Sequence, residues 1–173
     1  MTDTVPAGAT PAPLQEDIWQ PLPAAAGLVA SLGGVLAGLG PGIALAVMTG
    51  IGGPGGFWLR LGLGALALLL PPLLFALVFR QRARRVRWRL DAQGLAVRRG
   101  LFWHSEILVP RSRVQHLDVE RGPVERQFGL ATLIVHTAGT RMHALRQAGF
   151  DDGVAMALRD ALVPEARRHD DAL

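Results

Sequence analysis

Six of the eighteen basic side chains fall within ten residues in the middle of the chain, and all six are arginines. They are Arg80, Arg82, Arg84, Arg85, Arg87 and Arg89. A guanidinium presents planar N–H donors that fit phosphate and carboxylate oxygens, and near an anionic leaflet each arginine contributes about 1 kcal/mol. Because the cluster directly follows an apolar run that ends at Phe79, we predict that it marks the cytoplasmic exit of a membrane span, with headgroup contact as a second role.

Other reactive chemistry is sparse in the sequence. The chain has no cysteine and no lysine, which excludes disulfides, thiolate nucleophiles, thiolate metal sites and lysine Schiff bases. No serine lies in a nucleophile elbow. Four of the five histidines, His104, His116, His136 and His143, fall on separate predicted strands without HxxxH or HxH spacing, which argues against a metal site. We therefore predict no enzymatic activity, no metal and no cofactor.

The net charge of +4 does not predict a nucleic-acid partner, because the arginines are concentrated at the membrane exit and not spread over a soluble surface.

Two long apolar runs precede that exit. The first, 24–48, has twenty-five uncharged residues and would form a helix of about 37 Å, against a hydrocarbon core of about 30 Å. It starts too late and is too long for a signal peptide.

The second apolar run, 57–79, follows the uncharged turn 50–56. Pro41 and the pair Pro71 and Pro72 are predicted to kink the two spans without ending them. One positive charge, Arg60, lies at the opposite end of the second span from the arginine cluster. The pattern predicts a two-helix hairpin in a bacterial inner membrane, with both termini in the cytoplasm.

Small residues recur at every fourth position of the first span. They are Ala26, Ala30, Gly34, Gly38, Gly42 and Ala46. Such a ridge lets another helix backbone approach closely, and it would serve as a seam with the second helix or with a partner chain. The alternative is that it reflects only the abundance of glycine and alanine in this composition.

After the arginine cluster the hydrophobic period changes to two, which is typical of half-buried strands. We predict strands at 86–91, 95–99, 103–109, 114–120, 130–137 and 141–145, and a short helix at 124–128 that begins after Pro123. A helical stripe of Phe150, Val154, Leu158 and Leu162 follows, with Asp151 and Asp152 in its first turn. The fold class is therefore α+β: a transmembrane hairpin followed by a small antiparallel β-barrel or sandwich with a C-terminal capping helix.

This interpretation divides the chain into five segments. They are a flexible cytoplasmic tail (1–22), the hairpin (23–79), a basic juxtamembrane linker (80–85), the β-domain (86–163) and a charged C-terminal tail (164–173).

The run from 107 to 139 resembles the signature of the bacterial pleckstrin-homology-like (PH-like) domain of YdbS-like membrane proteins. The matching positions are Val109-Pro110, Arg113-Val114-Gln115, Gly122-Pro123, Arg126, Gly129-Leu130 and the stretch 131–139. This sequence departs from the family in having no lysine or tyrosine and in its arginine-rich first strand. The resemblance implies two transmembrane helices before a small β-barrel or sandwich on the cytoplasmic membrane face, without enzymatic activity.

Two roles are open for the polar signature residues, which are Arg111, Arg113, Gln115 and Arg126. They stabilise turns and strand ends, or the three arginines form an anion site for a lipid headgroup or a partner's carboxylates.

For the whole protein, our first hypothesis is a binding or assembly module. Its partner would be another membrane protein carrying the same domain, or a second copy of the chain. The alternatives are a sensor of anionic phospholipid headgroups and an accessory subunit in transport or membrane-stress defence.

Overall fold

Two long helices are followed by two small antiparallel sheets in the computed structural model of the chain, which describes residues 17–101, 103–137 and 145–162. The helices are α1 (Ala24–Gly52), α2 (Phe57–Arg85), α3 (Pro123–Gln127) and α4 (Asp152–Leu162). The strands are β1 (Gln20–Pro21), β2 (Arg87–Leu90), β3 (Gly94–Arg99), β4 (Ser105–Pro110), β5 (Val114–Glu120), β6 (Leu130–Thr137) and β7 (Leu145–Asp151). A single 3-10 turn, Arg111–Arg113, joins β4 to β5.

The helices α1 and α2 have 29 residues each, so each is about 43 Å long and exceeds the hydrocarbon thickness. As predicted, neither Pro41 nor the Pro71-Pro72 pair ends its helix. The predicted linker 80–85 is not separate, because α2 continues to Arg85. Arginine is a good helix former, and cations in a last turn interact favourably with the helix dipole.

The small-residue ridge of α1 lies against α2. A Cβ added to Gly34 would lie 2.6 Å from the carbonyl oxygen of Phe75, and one added to Gly42 would lie 2.7 Å from that of Leu68. A Cβ on Gly38 would overlap the backbone of Pro72. The centre of the ridge is therefore a seam with the second helix, which is the first of the two predicted occupants, and this contact leaves less room there for a partner's helix.

The domain is built from two sheets, with strand orders β1-β2-β3-β4 and β5-β6-β7. All of the pairings are antiparallel, and the inner faces of both sheets share one core with α4. Trp88 and Phe150 meet at its centre, edge to face, with ring centroids 5.7 Å apart. The predicted α+β class with a capping helix is confirmed as a sandwich, because the two sheets do not close into a barrel within the described residues.

Two boundaries differ from prediction. The tail assigned to 1–22 contains β1, whose Gln20 and Pro21 pair with β2; residues 1–16 lie outside the described ranges. Phe150 belongs to β7 and not to the terminal helix, which begins only at Asp152. Asp151 sets that boundary, because its Oδ1 accepts hydrogen bonds from the N–H groups of Gly153 and Val154, as an N-cap does. Most of the strand predicted at 141–145, and the tail 164–173, also lie outside the described residues.

Candidate anion-binding site at the membrane exit

The carboxylate of Asp91 closes the turn between β2 and β3. Its Oδ1 accepts hydrogen bonds from the N–H groups of Gly94 and Gln93, each at 2.9 Å, and its Oδ2 lies 3.0 Å from Arg89 Nη2. The Gly94 N–H first, and then the Gln93 N–H and the Arg89 charge, hold the pKa of Asp91 below its ordinary value of 3.8, against the opposing effect of burial. This turn fixes the register in which Arg87 faces Arg98.

That register gathers arginines from α2, β2 and β3 around one cleft of about 570 Å³, here called the basic cleft. Its charged lining consists of Arg85, Arg87, Arg98, Arg99 and Glu106. One of these arginines is neutralised directly, since Arg98 Nε lies 2.8 Å from Glu106 Oε2. The cleft therefore carries an excess of positive charge.

Backbone carbonyls and an aromatic ring hold the cleft arginines in place. Arg85 Nη1 donates to the Leu101 carbonyl at 3.2 Å, and Arg87 Nη1 donates to the Arg84 carbonyl at 2.9 Å. The guanidinium carbon of Arg98 lies 4.0 Å from the ring centroid of Trp19, a cation–π distance. A guanidinium held by one N–H still has others to donate, so these contacts orient the side chains without using up their donors.

A second cavity of about 450 Å³ adjoins the basic cleft between the hairpin and the sheets, and we call it the interface cavity. Arg99 and Gly100 line both spaces. Its apolar wall includes Leu22, Val29, Ala30, Phe79, Val86 and Leu130. Its charged lining is Arg82, Arg99 and Glu125, and Trp103, 90 % exposed, stands at the rim.

Both cavities lie beside the residues that follow the second apolar run. The nineteen residues 61–79 carry no charge and span about 28 Å as a helix, close to the thickness of a bilayer core. Phe79 lies at the end of that stretch, and Arg82 lies one turn beyond it, at the depth expected for headgroups. Exposed tryptophan is also typical of this interfacial layer. The paired cavities thus combine an apolar pocket with an arginine-lined cleft at this end of the hairpin.

Comparison with known proteins identifies the family. The model of the bacterial PH domain matches residues 24–168, which include both membrane helices and the strands β2 to β7. The chain belongs to the bacterial PH domain family. It is also 30 % identical over 115 residues to the transmembrane protein YdbS of Bacillus subtilis (strain 168), a match that covers 66 % of this chain and 70 % of that protein. No solved structure matches significantly. The resemblance noted in the sequence is confirmed, and the chain is a membrane protein with a bacterial PH domain.

The juxtamembrane arginines of this bacterial PH protein divide into three groups. Arg85 and Arg87 line the basic cleft, and Arg82 lines the interface cavity. The stems of Arg80 and Arg84 cover α1 at Gly27, where an added Cβ would lie 3.6 and 3.7 Å from their Cγ atoms. Arg89 is engaged internally, since it pairs with Asp91 and lies 5.1 Å from the centroid of Trp19.

The signature arginines of the bacterial PH domain are not brought together. Arg111 and Arg113 precede β5, and Gln115 lies at its bulge. Arg126 lies in α3, after this strand of seven residues, which spans about 23 Å. The structure thus separates the arginines that a joint anion site would require.

The carboxylate of Glu125 holds the α3 turn of the signature. Its Oε2 accepts the Gly122 N–H at 2.9 Å, and its Oε1 accepts the Thr132 hydroxyl at 2.8 Å. Glu120 instead pairs with Arg146 at 2.9 Å. Both carboxylates thus have partners other than Arg126.

Sequence reasoning missed Arg98 and Arg99, although a signal for them was present. An antiparallel hairpin that turns at 91–94 must place the end of β3 beside the start of β2, and hence beside the arginine cluster. From the sequence, the histidines were not expected to share a site, because they fall on separate predicted strands. In the structure His116 and His136 are direct partners across β5 and β6.

Proposed function

We propose that this protein is a non-enzymatic, membrane-anchored module whose bacterial PH domain binds the headgroup of an anionic phospholipid in the basic cleft. The observation that carries the proposal is that the basic cleft adjoins the apolar interface cavity, since Arg99 and Gly100 line both. A phospholipid has the same two-part character, with a charged phosphate at one end and acyl chains at the other. The arginines that follow Phe79 are expected at the depth of the headgroups, which supports such an occupant.

Electrostatics favours an anion in this place. Arg87 and Arg98 are direct cross-strand partners, and like charges in that position repel each other. Glu106 pairs with Arg98. Arg99 donates to the Arg146 carbonyl at 3.4 Å and has no ion pair with a carboxylate among the residues that the structure describes. A phosphate accepting from two of these guanidiniums would relieve the repulsion through charge-assisted hydrogen bonds, which are about twice as strong as neutral ones.

The test is lipid binding by full-length protein in nanodiscs, comparing the unmodified chain with the Arg87→Gln/Arg99→Gln variant. Each arginine contributes about 1 kcal/mol near an anionic surface, so the double substitution should weaken retention of anionic lipid roughly thirtyfold. The matched control is Arg113→Gln/Arg126→Gln, which removes the same charge from exposed positions outside both cavities. Native mass spectrometry after gentle extraction measures the lipid that stays bound.

The outcomes separate the alternatives. Retention of anionic over zwitterionic lipid, reduced by the cleft variant and by raised salt, supports the proposal. Equal competition by inorganic phosphate would show that the cleft recognises phosphate alone and not a lipid. Loss of binding in the control variant and not in the cleft variant would overturn the proposal in favour of the signature arginines.

A second function, assembly, is favoured by the open edge of the first sheet. Within the described residues β4 pairs only with β3, and Leu108 on it is 47 % exposed. We propose a second copy of this chain as its occupant, because two β4 edges related by a two-fold axis are self-complementary. In the same native mass measurement, a doubled mass without bound lipid would favour assembly. A larger co-purifying membrane protein would identify a different partner.

Both termini and the bacterial PH domain are proposed to lie in the cytoplasm, on the strength of six arginines at one end of the hairpin against Arg60 at the other. The chain has no native cysteine, so single substitutions give unambiguous labelling. We expect Gly56→Cys, in the turn between α1 and α2, to react with a membrane-impermeant maleimide in intact spheroplasts. Ser112→Cys, in the exposed turn before β5, should react only after permeabilisation. The reverse pattern would invert the topology.

A further inference from the structure

Three metal-ligating side chains converge on the outer face of the second sheet, away from both cavities. His116 on β5 and His136 on β6 are direct cross-strand partners, and Asp118 lies two residues further along β5 on the same face. Asp118 Oδ2 lies 3.1 Å from His136 Nε2 and 3.9 Å from His116 Nε2. One ligand atom from each residue lies within 4.8 Å of both others.

We propose that His116, Asp118 and His136 bind a divalent transition-metal ion of the zinc class. Zinc is held by imidazole nitrogen and carboxylate oxygen at about 2.0–2.2 Å, so two ligand atoms of one tetrahedral ion lie about 3.4 Å apart. The two distances from Asp118 bracket that value. Two imidazoles and one carboxylate suit zinc, whereas calcium and magnesium take oxygen ligands.

The histidine rings are arranged so that a small rotation would complete the site. They stack with centroids 4.2 Å apart and planes 14° apart, so their nitrogens project side by side towards the aspartate. Convergence on one ion requires the nitrogen-bearing edges of the rings to approach each other while the opposite edges separate. The side chains of His116 and His136 are 55 % and 31 % exposed, so solvent and not packed core borders that movement. Three protein ligands leave a fourth position for water.

Bound metal would connect β5 to β6 through side chains, in addition to the backbone ladder between them. Because these strands belong to one sheet of the shared core, an ion that binds only the folded chain would raise the thermal midpoint of the domain. This inference is independent of the proposed lipid function, since neither cavity is lined by any of the three residues.

The experiment uses the full-length chain, purified without a histidine tag and stripped with a chelator. Zinc is titrated into it by isothermal calorimetry, and cobalt is added separately to read the visible absorption of a low-coordinate ion. We expect one ion per chain, and a weakening of at least about tenfold for His136→Ala and for Asp118→Asn. The matched control is His104→Ala, an exposed histidine next to the other sheet.

Circular dichroism of each variant establishes that the sheet is intact. Asp118→Asn preserves the shape of the side chain, and so keeps the test valid if a histidine variant unfolds. The proposal is overturned if zinc binding is absent, or if it persists unchanged in His116→Ala/His136→Ala. An equal loss in His104→Ala would also overturn it, because the ion would then belong to scattered surface histidines.

Discussion

Replacement of Gly38 by leucine is expected to force the two membrane helices apart and destabilise the hairpin by about 3 kcal/mol or more. The reason is steric: even a single added carbon at Gly38 would overlap the backbone of Pro72, and a backbone cannot move aside as a side chain can. In a bilayer the association of helices rests on such close packing, because lipid tails are as apolar as leucine. The measurement is thermal unfolding of full-length protein in mild detergent.

The same helix provides the control for this substitution. Gly40 lies two residues away on the exposed side of α1, where an added Cβ would meet nothing within 4 Å. Gly40→Leu makes the same change in helix propensity and hydrophobicity without the collision. If both variants unfold at the same temperature, the α1–α2 seam is not what Gly38 stabilises. If Gly38→Leu changes the oligomeric mass while the hairpin remains stable, the ridge serves a partner chain after all.

The hairpin was predictable because its signals are local. Uncharged length predicts a span, arginines mark its end, and small residues at every fourth position predict a seam on one helix face. Local sequence could not predict whether α2 or a partner chain occupies that seam. It depends on which face of α2 meets Gly34, Gly38 and Gly42, and the apolar sequence of α2 does not distinguish its faces.

The functional surfaces were less predictable, because they arise from pairing between strands. Arg98 and Arg99 join the basic cleft only when the Asp91 turn fixes the β2–β3 register. His116 faces His136 because the ladder shifts by one residue at Gln115, between Val114 and His116. A one-residue shift exchanges the two faces of a strand, and no sequence period reveals where a bulge will fall. Pairing of the tail strand β1 with β2 is equally non-local.

The joint between hairpin and bacterial PH domain is expected to fail in Gly149→Val. Gly149 has φ +92°, which a β-branched residue adopts only under strain, and an added Cβ would lie 2.8 Å from Ala26 Cβ and 3.4 Å from Leu22 Cδ1. Strain of this kind costs about 1–3 kcal/mol, and overpacking costs a similar amount. The second cost falls on the contact between β7 and α1 that forms one wall of the interface cavity.

Gly129→Val separates these two costs. Gly129 also has a positive φ, +63°, but an added Cβ there meets nothing within 4 Å, so its variant bears the strain without disturbing the joint. Trypsin provides the readout, because the arginines of α2 and β2 become accessible when the domain swings away. Cleavage of an opened form follows its population, so an extra 1–3 kcal/mol predicts roughly 5- to 150-fold faster cleavage in Gly149→Val than in Gly129→Val.

Equal rates of cleavage in the two variants would mean that the domain is not held against α1 at this point. Faster cleavage in Gly149→Val together with unchanged retention of anionic lipid would place the lipid in the basic cleft alone, since that cleft is built from α2, β2, β3 and β4 and does not need the joint.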